Sequence, residues 1–114
     1  MKWTAIGIGA LVLGALLMSV FPASAQSAPE IPLVIEKNRF QPDVIKVKAG
    51  QAFVLVITNK DKGPEEFDMQ QPRIEKVIPG GKTVRLKMPA LKAGKYPFVG
   101  EYHSETAKAT IVAE

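Results

Sequence analysis

The single histidine of the chain lies in an acidic loop near the C-terminal end. His103 is flanked by Glu101 and Glu105, and the chain contains no cysteine. Imidazole is the side chain best suited to bind a borderline metal ion or to change charge near neutral pH. His103 is therefore the first candidate for a metal ligand, although a lone histidine beside glutamates is also what a solvated loop contains.

A second polar cluster, residues 65–69, follows a long apolar segment and provides Glu66, Asp68 and Met69 as further candidates. If the last strand pairs near the central one, both clusters would lie at the same end of the fold. They would then provide nitrogen, oxygen and sulfur donors for an ion. Such a mixed set suits Cu(II) or an iron ion better than a structural zinc ion. The ordinary alternatives are a charged turn for the adjacent glutamates and a core position for the methionine.

Other kinds of chemistry have little support in the sequence. The chain has no cysteine, no GxSxG turn and no second histidine that could serve as a base. Gly80-Gly81 is typical of a turn and not of a phosphate-binding loop. A free-standing enzyme, such as an Fe(II) oxidase, is therefore the least favoured class.

Basic side chains alternate with apolar ones near residue 85, at positions Lys82, Arg85 and Lys87. This alternation predicts a solvated strand face, with a docking surface for an acidic partner as the alternative. The formal net charge of +4 is modest and spread along the chain. It favours solubility over nucleic-acid binding, so we expect no nucleic-acid partner.

The first 25 residues have the layout of a secretory signal peptide. Lys2 precedes a long apolar run, and Ala23-Ser24-Ala25 is a small-x-small cleavage site. We expect cleavage after Ala25, a linker over residues 26–30, one domain over residues 31–114 and a periplasmic location. The alternative is an uncleaved membrane anchor, whereas the cleaved protein would have no membrane span.

Alternation with a period of two dominates the remaining chain and predicts an all-β fold. Ala52 to Asn59 is apolar on both faces, which is typical of a central strand. In the segment Lys82 to Met88, alternate apolar residues would point inward. No segment has helical periodicity over ten residues, so we expect about seven short strands in a two-sheet β-sandwich.

Several spacings in this pattern resemble cupredoxin domains. The stretches are Asn38-Arg39-Phe40-x-Pro42, Val56-x-x-Asn59 and Gly94-x-Tyr96-x-Phe98-x-x-x-x-His103. Two further stretches, Glu65-Glu66-Phe67-Asp68 and Gly100-Glu101-Tyr102-His103, are similar to the EfeO-type subgroup of cupredoxin-like proteins. The resemblance implies a Greek-key sandwich, a metal loop at His103, and a periplasmic role in iron uptake. The implied partners are an iron permease or a periplasmic iron-binding protein.

The chain departs from the blue-copper members of that family at three ligand positions. Gly100 stands where the resemblance would place the thiolate, Glu66 stands near the first histidine ligand, and Ala107 or Lys108 replaces the axial methionine. A blue-copper centre requires the cysteine thiolate. The resemblance therefore implies that no type 1 centre forms.

The remaining ligand set implied by the resemblance is Glu66 with His103, helped by Asp68, Met69, Glu101 or Glu105, and its ion would be copper or iron. The function expected from it is binding an ion, handing it over or helping to oxidise it. The alternative is a metal-free sandwich that binds a partner of a periplasmic transport complex through Lys82, Arg85 and Lys87.

Overall fold

The computed structural model describes residues 27–114, together with the isolated positions 9 and 14. The expected signal peptide and its cleavage site thus lie outside the described residues. Within them, no helix is long and apolar enough to cross a membrane. The first strand begins at Glu30, the last residue of the expected linker.

Within residues 27–114, nine strands form two sheets. The four-stranded sheet has the order β2-β1-β4-β7, with β1 (Glu30–Glu36), β2 (Arg39–Gln41), β4 (Phe53–Asn59) and β7 (Thr83–Met88). The five-stranded sheet has the order β3-β9-β8-β5-β6, with β3 (Val44–Val47), β5 (Glu65–Met69), β6 (Ile74–Ile78), β8 (Gly94–Gly100) and β9 (Lys108–Ala113). The pairs β1–β4 and β3–β9 are parallel, and the others are antiparallel.

This architecture confirms the predicted all-β sandwich, with nine strands where the pattern indicated about seven. The strand β2 has only three residues, too few for alternation to be recognised. The strand β5 consists largely of acidic residues, so its sequence resembles a polar loop. In both, pairing with neighbouring strands decides the backbone conformation, because β-propensity depends strongly on context.

The core lies between the two sheets. The predicted central position of β4 is confirmed, since it lies between β1 and β7, and its residues Phe53, Leu55 and Ile57 are all buried. Near the end of the sandwich that carries His103, the ring of Phe98 lies 4.9 Å from that of Phe40 and 4.6 Å from that of Phe67. These three rings join β8 to a strand of each sheet, so the backbone beneath the candidate site has a well-packed support.

The two polar clusters do meet, although by another route than pairing between the last strand and the central one. The last strand, β9, and the central strand, β4, belong to different sheets. Instead β5 pairs antiparallel with β8, with Phe67 opposite Gly100. A single turn of 3-10 helix, Glu101–His103, continues directly from β8. The pairing therefore places the start of β5 beside the histidine loop.

Candidate functional site

The centre of the site is a pair formed by His103 and Glu65. The Nδ1 atom of His103 lies 2.6 Å from Oε2 of Glu65. The glutamate side chain is 2% exposed and the histidine side chain 37%. With Glu65 ionised, the imidazole Nδ1–H donates to the carboxylate. The site is therefore a buried acid whose imidazole partner is partly open to solvent.

Two backbone amides complete the surroundings of the Glu65 carboxylate. Its Oε1 atom accepts hydrogen bonds from the N–H of Tyr102 at 2.9 Å and from the N–H of Glu66 at 3.0 Å. Within residues 27–114, no buried side-chain nitrogen or oxygen lacks a hydrogen-bond partner. The free-energy cost of burying the carboxylate is thus offset by three hydrogen-bond donors, the two amides and the imidazole. The bonds from Tyr102 and His103 also hold the 3-10 helix against β5.

Gly100 makes room for this carboxylate. A Cβ atom added at Gly100 would lie 2.6 Å from Cδ of Glu65, 2.9 Å from its Oε1 and 2.7 Å from Cβ of Ala107. Real Cβ atoms do not approach other heavy atoms so closely. The position that the resemblance assigns to a thiolate therefore has no side chain, and the carboxylate of Glu65 lies in the space beside it.

The carboxylates predicted on β5 lie on its other face. Successive side chains of a strand alternate, so Glu66 and Asp68 lie opposite Glu65. Asp68 is buried and accepts hydrogen bonds from Nη1 of Arg73 at 2.9 Å and from Nε2 of Gln70 at 3.3 Å. This aspartate is thus engaged with a guanidinium and an amide, and it does not face the histidine.

Glu101 belongs to the same acidic face. A hydrogen bond to Asp68 and the charge of that carboxylate raise the pKa of Glu101, and the charge of Glu66 adds to the effect. Loss of hydration, followed by the charge of Glu66, raises the pKa of the Tyr102 hydroxyl. Glu66, Asp68 and Glu101 are therefore neighbours, on the far side of β5 from the Glu65–His103 pair.

The two remaining predicted ligands, Met69 and Glu105, lie in different parts of the structure, and only Glu105 is near His103. Met69 is fully buried in the core and stands opposite Phe98 in the register of the sheet. It is four residues along β5 from Glu65, a distance of about 13 Å. Glu105 is exposed and lines a cavity next to His103. The metal-binding roles of the predicted residues stay predictions, and in residues 27–114 no three His, Cys, Asp or Glu side chains are grouped as metal ligands would be.

The basic strand face is exposed as predicted. Lys82 precedes β7, and Arg85 and Lys87 point outward from it. Arg85 forms an ion pair with Glu30, which lowers the pKa of that glutamate through a hydrogen bond and through its charge. A docking role for this face stays a prediction.

Two cavities flank His103. One, of about 310 Å³, lies on the side of Lys37, Lys62 and Glu65. The other, of about 460 Å³, lies on the side of Glu101, Tyr102 and Glu105. Small molecules thus have space to reach the imidazole from a lysine-bearing side and from an acidic side.

The fold and the site define a class of protein: a two-sheet β-sandwich with a histidine loop after its penultimate strand. A family model described as a cupredoxin-like domain matches residues 9–113. The chain belongs to this cupredoxin-like domain family.

An uncharacterized protein of Rickettsia prowazekii (strain Madrid E), RP394, is 29% identical over 83 residues. That match covers 73% of this chain and 66% of the relative, which is slightly less than two thirds of the relative's length.

Similar solved structures include copper proteins. Auracyanin A from Chloroflexus aurantiacus has a TM-score of 0.66 at 15% identity, covering 77% of this chain and all of that one. Amicyanin from Paracoccus versutus has a TM-score of 0.61 at 15% identity, covering 77% and 84%. The metal-binding domain of the Cu(I)-exporting ATPase CopA from Streptococcus pneumoniae D39 has a TM-score of 0.63 at 14% identity, covering 75% and 84%. At such identities the likeness shows the fold alone.

Glu65 belongs to the acidic cluster recognised in the sequence but was not among the predicted ligands. Glu66 was expected near the first ligand position, yet Glu65 contacts His103. A signal for this was available, because Phe67 and Met69 are the apolar residues of β5 and Glu65 shares their face by period two. The charge of the side chain argued against an inward position, which is favourable because the N–H of Glu66 and two donors of the histidine loop compensate for it.

Proposed function

We propose that this protein is an exported cupredoxin-like protein that binds Cu(II) or an iron ion through His103 and Glu65. The observation that carries the proposal is the pairing of the only imidazole with a buried carboxylate in the histidine loop. The finer part of the proposal is a periplasmic role in iron uptake, by handing over an ion or by helping to oxidise Fe(II). That part is supported by the resemblance of the acidic and histidine stretches to the EfeO-type subgroup.

The donor set fits a hard or borderline ion. Imidazole nitrogen and carboxylate oxygen suit Cu(II) and iron, whereas Cu(I) prefers sulfur. His103 and Glu65 would hold such an ion, and their donor atoms Nδ1 and Oε2 are already neighbours, 2.6 Å apart. A metal ion would supply one-electron redox chemistry here, without the thiolate of a type 1 centre.

The protein's own residues decide when the site is available. The Nδ1 atom of His103 and the Oε2 atom of Glu65 are engaged with each other. A metal ion must therefore compete with the proton between them, so binding should weaken in acid. The Oε1 atom of Glu65 would stay bonded to the backbone of Tyr102 and Glu66, which keeps the carboxylate oriented.

The test is a titration of the purified protein with Cu(II) and with Fe(III), followed by calorimetry and electron paramagnetic resonance. His103→Ala should lower copper affinity by at least ~100-fold, since it removes the only imidazole ligand. Lys95→Ala is the control, because Lys95 is exposed and lies at the end of β8 away from the histidine loop. Equal binding by wild type and His103→Ala would refute the metal site.

A further variant separates a ligand from a structural hydrogen-bond donor. His103→Asn keeps an N–H donor that can reach Glu65 but removes the imidazole. We expect it to retain most of the stability of the fold and to lose copper binding. Copper affinity unchanged in His103→Asn would exclude the imidazole as the ligand.

The alternative is a metal-free module that binds a partner protein. The observation in its favour is that the Glu65 carboxylate already has three donors without a metal ion. Lys82 and Lys87 would provide the docking charges, while Arg85 is already paired with Glu30. Binding to an iron permease that survives chelation and is lost in Lys82→Glu/Lys87→Glu would support this alternative. Binding insensitive to both substitutions would exclude that surface.

A further inference from the structure

We propose that the cavity between the β1–β2 turn and the β4–β5 loop binds a small oxyanion, such as a dicarboxylate or a phosphate-type group. The same anion would serve as the co-ligand of a metal ion held by His103. Anion binding is argued from the cavity itself, whereas the role as a metal co-ligand rests on the proposed function. The cavity has a volume of about 310 Å³ and is lined by Lys37, Asn38, Asp61, Lys62, Glu65 and His103, among others.

The cationic groups of this cavity have no carboxylate partners in the described chain. Lys37 and Lys62 are exposed, and neither takes part in an ion pair among residues 27–114. A lysine ammonium is a strong, mobile donor for carboxylate and phosphate oxygens. Two such groups at one concave site favour an anion over a cation.

The acidic groups of the cavity are already engaged. Oδ1 of Asp61 accepts the N–H of Lys37 at 2.8 Å, and its Oδ2 accepts the N–H of Asn38 at 2.9 Å. Glu65 is likewise held by two backbone amides and by His103. Each oxygen of these two carboxylates thus already accepts at least one hydrogen bond from the protein, and the lysines remain available to a ligand.

The walls of the cavity are fixed before any ligand arrives. Lys37 and Asn38 have φ angles of 54° and 58°, which is the geometry of a tight two-residue hairpin turn. The buried amide of Asn59 donates to the carbonyls of Gly63 at 2.9 Å and Ile78 at 3.1 Å. Both segments that carry the lysines are thus anchored, which lowers the entropic cost of binding.

The coordination number of a metal ion is a further argument for an anion in this cavity. Glu65 and His103 would supply two donors, whereas Cu(II) prefers a square or tetragonal arrangement. Further donors must then come from solvent or from a bound anion. The cavity on the other side of His103 is lined by Glu101 and Glu105, so an anion is favoured on the lysine side.

The first experiment uses the metal-free protein and two probes, oxalate and inorganic phosphate, with binding followed by amide chemical shifts in NMR. We expect shifts at Lys37, Lys62 and Gly63. Lys37→Gln/Lys62→Gln should weaken binding of the effective probe by about tenfold or more, the loss of at least one charge-assisted hydrogen bond. The better of the two probes identifies the oxyanion class.

A matched double variant distinguishes specific binding of the anion in this cavity from nonspecific electrostatic attraction to a basic protein. Arg39→Gln/Lys108→Gln removes the same charge from a neighbouring cavity and should change the affinity by less than about twofold. If both double variants weaken binding equally, or if neither probe shifts the cavity amides, the anion site is overturned.

The second experiment adds copper at a fixed concentration of the probe. The probe should raise the apparent copper affinity of wild type relative to Lys37→Gln/Lys62→Gln, while His103→Ala should bind the probe but not copper. Copper binding that the probe affects equally in wild type and double variant would overturn the co-ligand role. Probe binding without any copper binding would support the anion site and refute the proposed metal function instead.

Discussion

The contact between Gly100 and Glu65 leads to a direct test of the site architecture. Gly100→Ala would place a methyl carbon 2.6 Å from Cδ of Glu65 and 2.7 Å from Cβ of Ala107. Carbon atoms pack best at about 3.5–4.0 Å, so the new atom is about 1 Å too close on two sides. Both neighbours are buried. We therefore expect a substantial loss of stability from a single added methyl group.

The size of the loss follows from what would have to move. Overpacking a dense core costs about 1–3 kcal/mol. If Glu65 moves instead, it gives up at least one hydrogen bond to a charged group, worth about 1.5–3 kcal/mol. Movement of Glu65 would relieve part of the overpacking, so the two costs do not simply add. We expect Gly100→Ala to lower the free energy of unfolding by about 2–4 kcal/mol.

The assay is urea denaturation followed by circular dichroism, with Gly63→Ala as control. A Cβ atom at Gly63 would meet nothing within 4 Å, so this variant should stay within about 0.5 kcal/mol of wild type. In the double variant Glu65→Ala/Gly100→Ala, the contact with the carboxylate is gone, and the loss should be smaller than the sum of the single losses by at least ~1 kcal/mol. Additive losses, or a Gly100→Ala variant as stable as Gly63→Ala, would refute the reasoning.

Three further expectations concern groups around the site and on the sheet surface. Asn59→Ala should lower the unfolding free energy by about 2–4 kcal/mol, because two carbonyls and the N–H of Asp61 lose a buried partner; urea denaturation measures it. The raised pKa of Glu101 means that the folded state loses stability as pH rises from 4.5 through that higher value. Glu101→Gln should therefore be more stable than wild type at neutral pH and lose this advantage below pH 4.5, whereas an advantage independent of pH would contradict the assignment. Glu30 has a lowered pKa, so its pairing with Arg85 contributes above pH 4.5 and is lost in acid; Arg85→Gln should change stability little, and any effect should vanish in high salt.

Much of the sandwich could be predicted because burial imposes a period on the sequence. The strand β7 alternates between apolar and polar residues over six positions, and its inward face is where the pattern indicated. The strand β4 is apolar on both faces, which marked it as a central strand. The parallel pairing of β1 with β4 and the pairing of β5 with β8 join distant segments. Such pairings depend on the packing of the whole chain, so a local pattern does not determine them.

The site was less accessible to sequence reasoning because its central residue breaks the rule that makes strands recognisable. A buried carboxylate costs several kcal/mol unless donors compensate for its lost hydration. The donors of Glu65 come from Glu66, Tyr102 and His103, and two of these lie on a loop far along the chain. The identity of the inward residue therefore depends on a contact that the sequence around residue 65 does not contain.

Glu65 and Gly100 explain each other, and together they change the meaning of the missing thiolate. The absence of a side chain at Gly100 is what admits the carboxylate, and the carboxylate in turn holds His103 by its Nδ1 atom. A cysteine at that position would collide with Glu65 before it could bind an ion. The loss of blue-copper chemistry is thus built into the packing and is not a single missing ligand. What remains is an imidazole hydrogen-bonded to a carboxylate. Under the proposed function, an incoming metal ion would have to displace the proton between them, so pH and a bound anion would then govern the occupancy of the site.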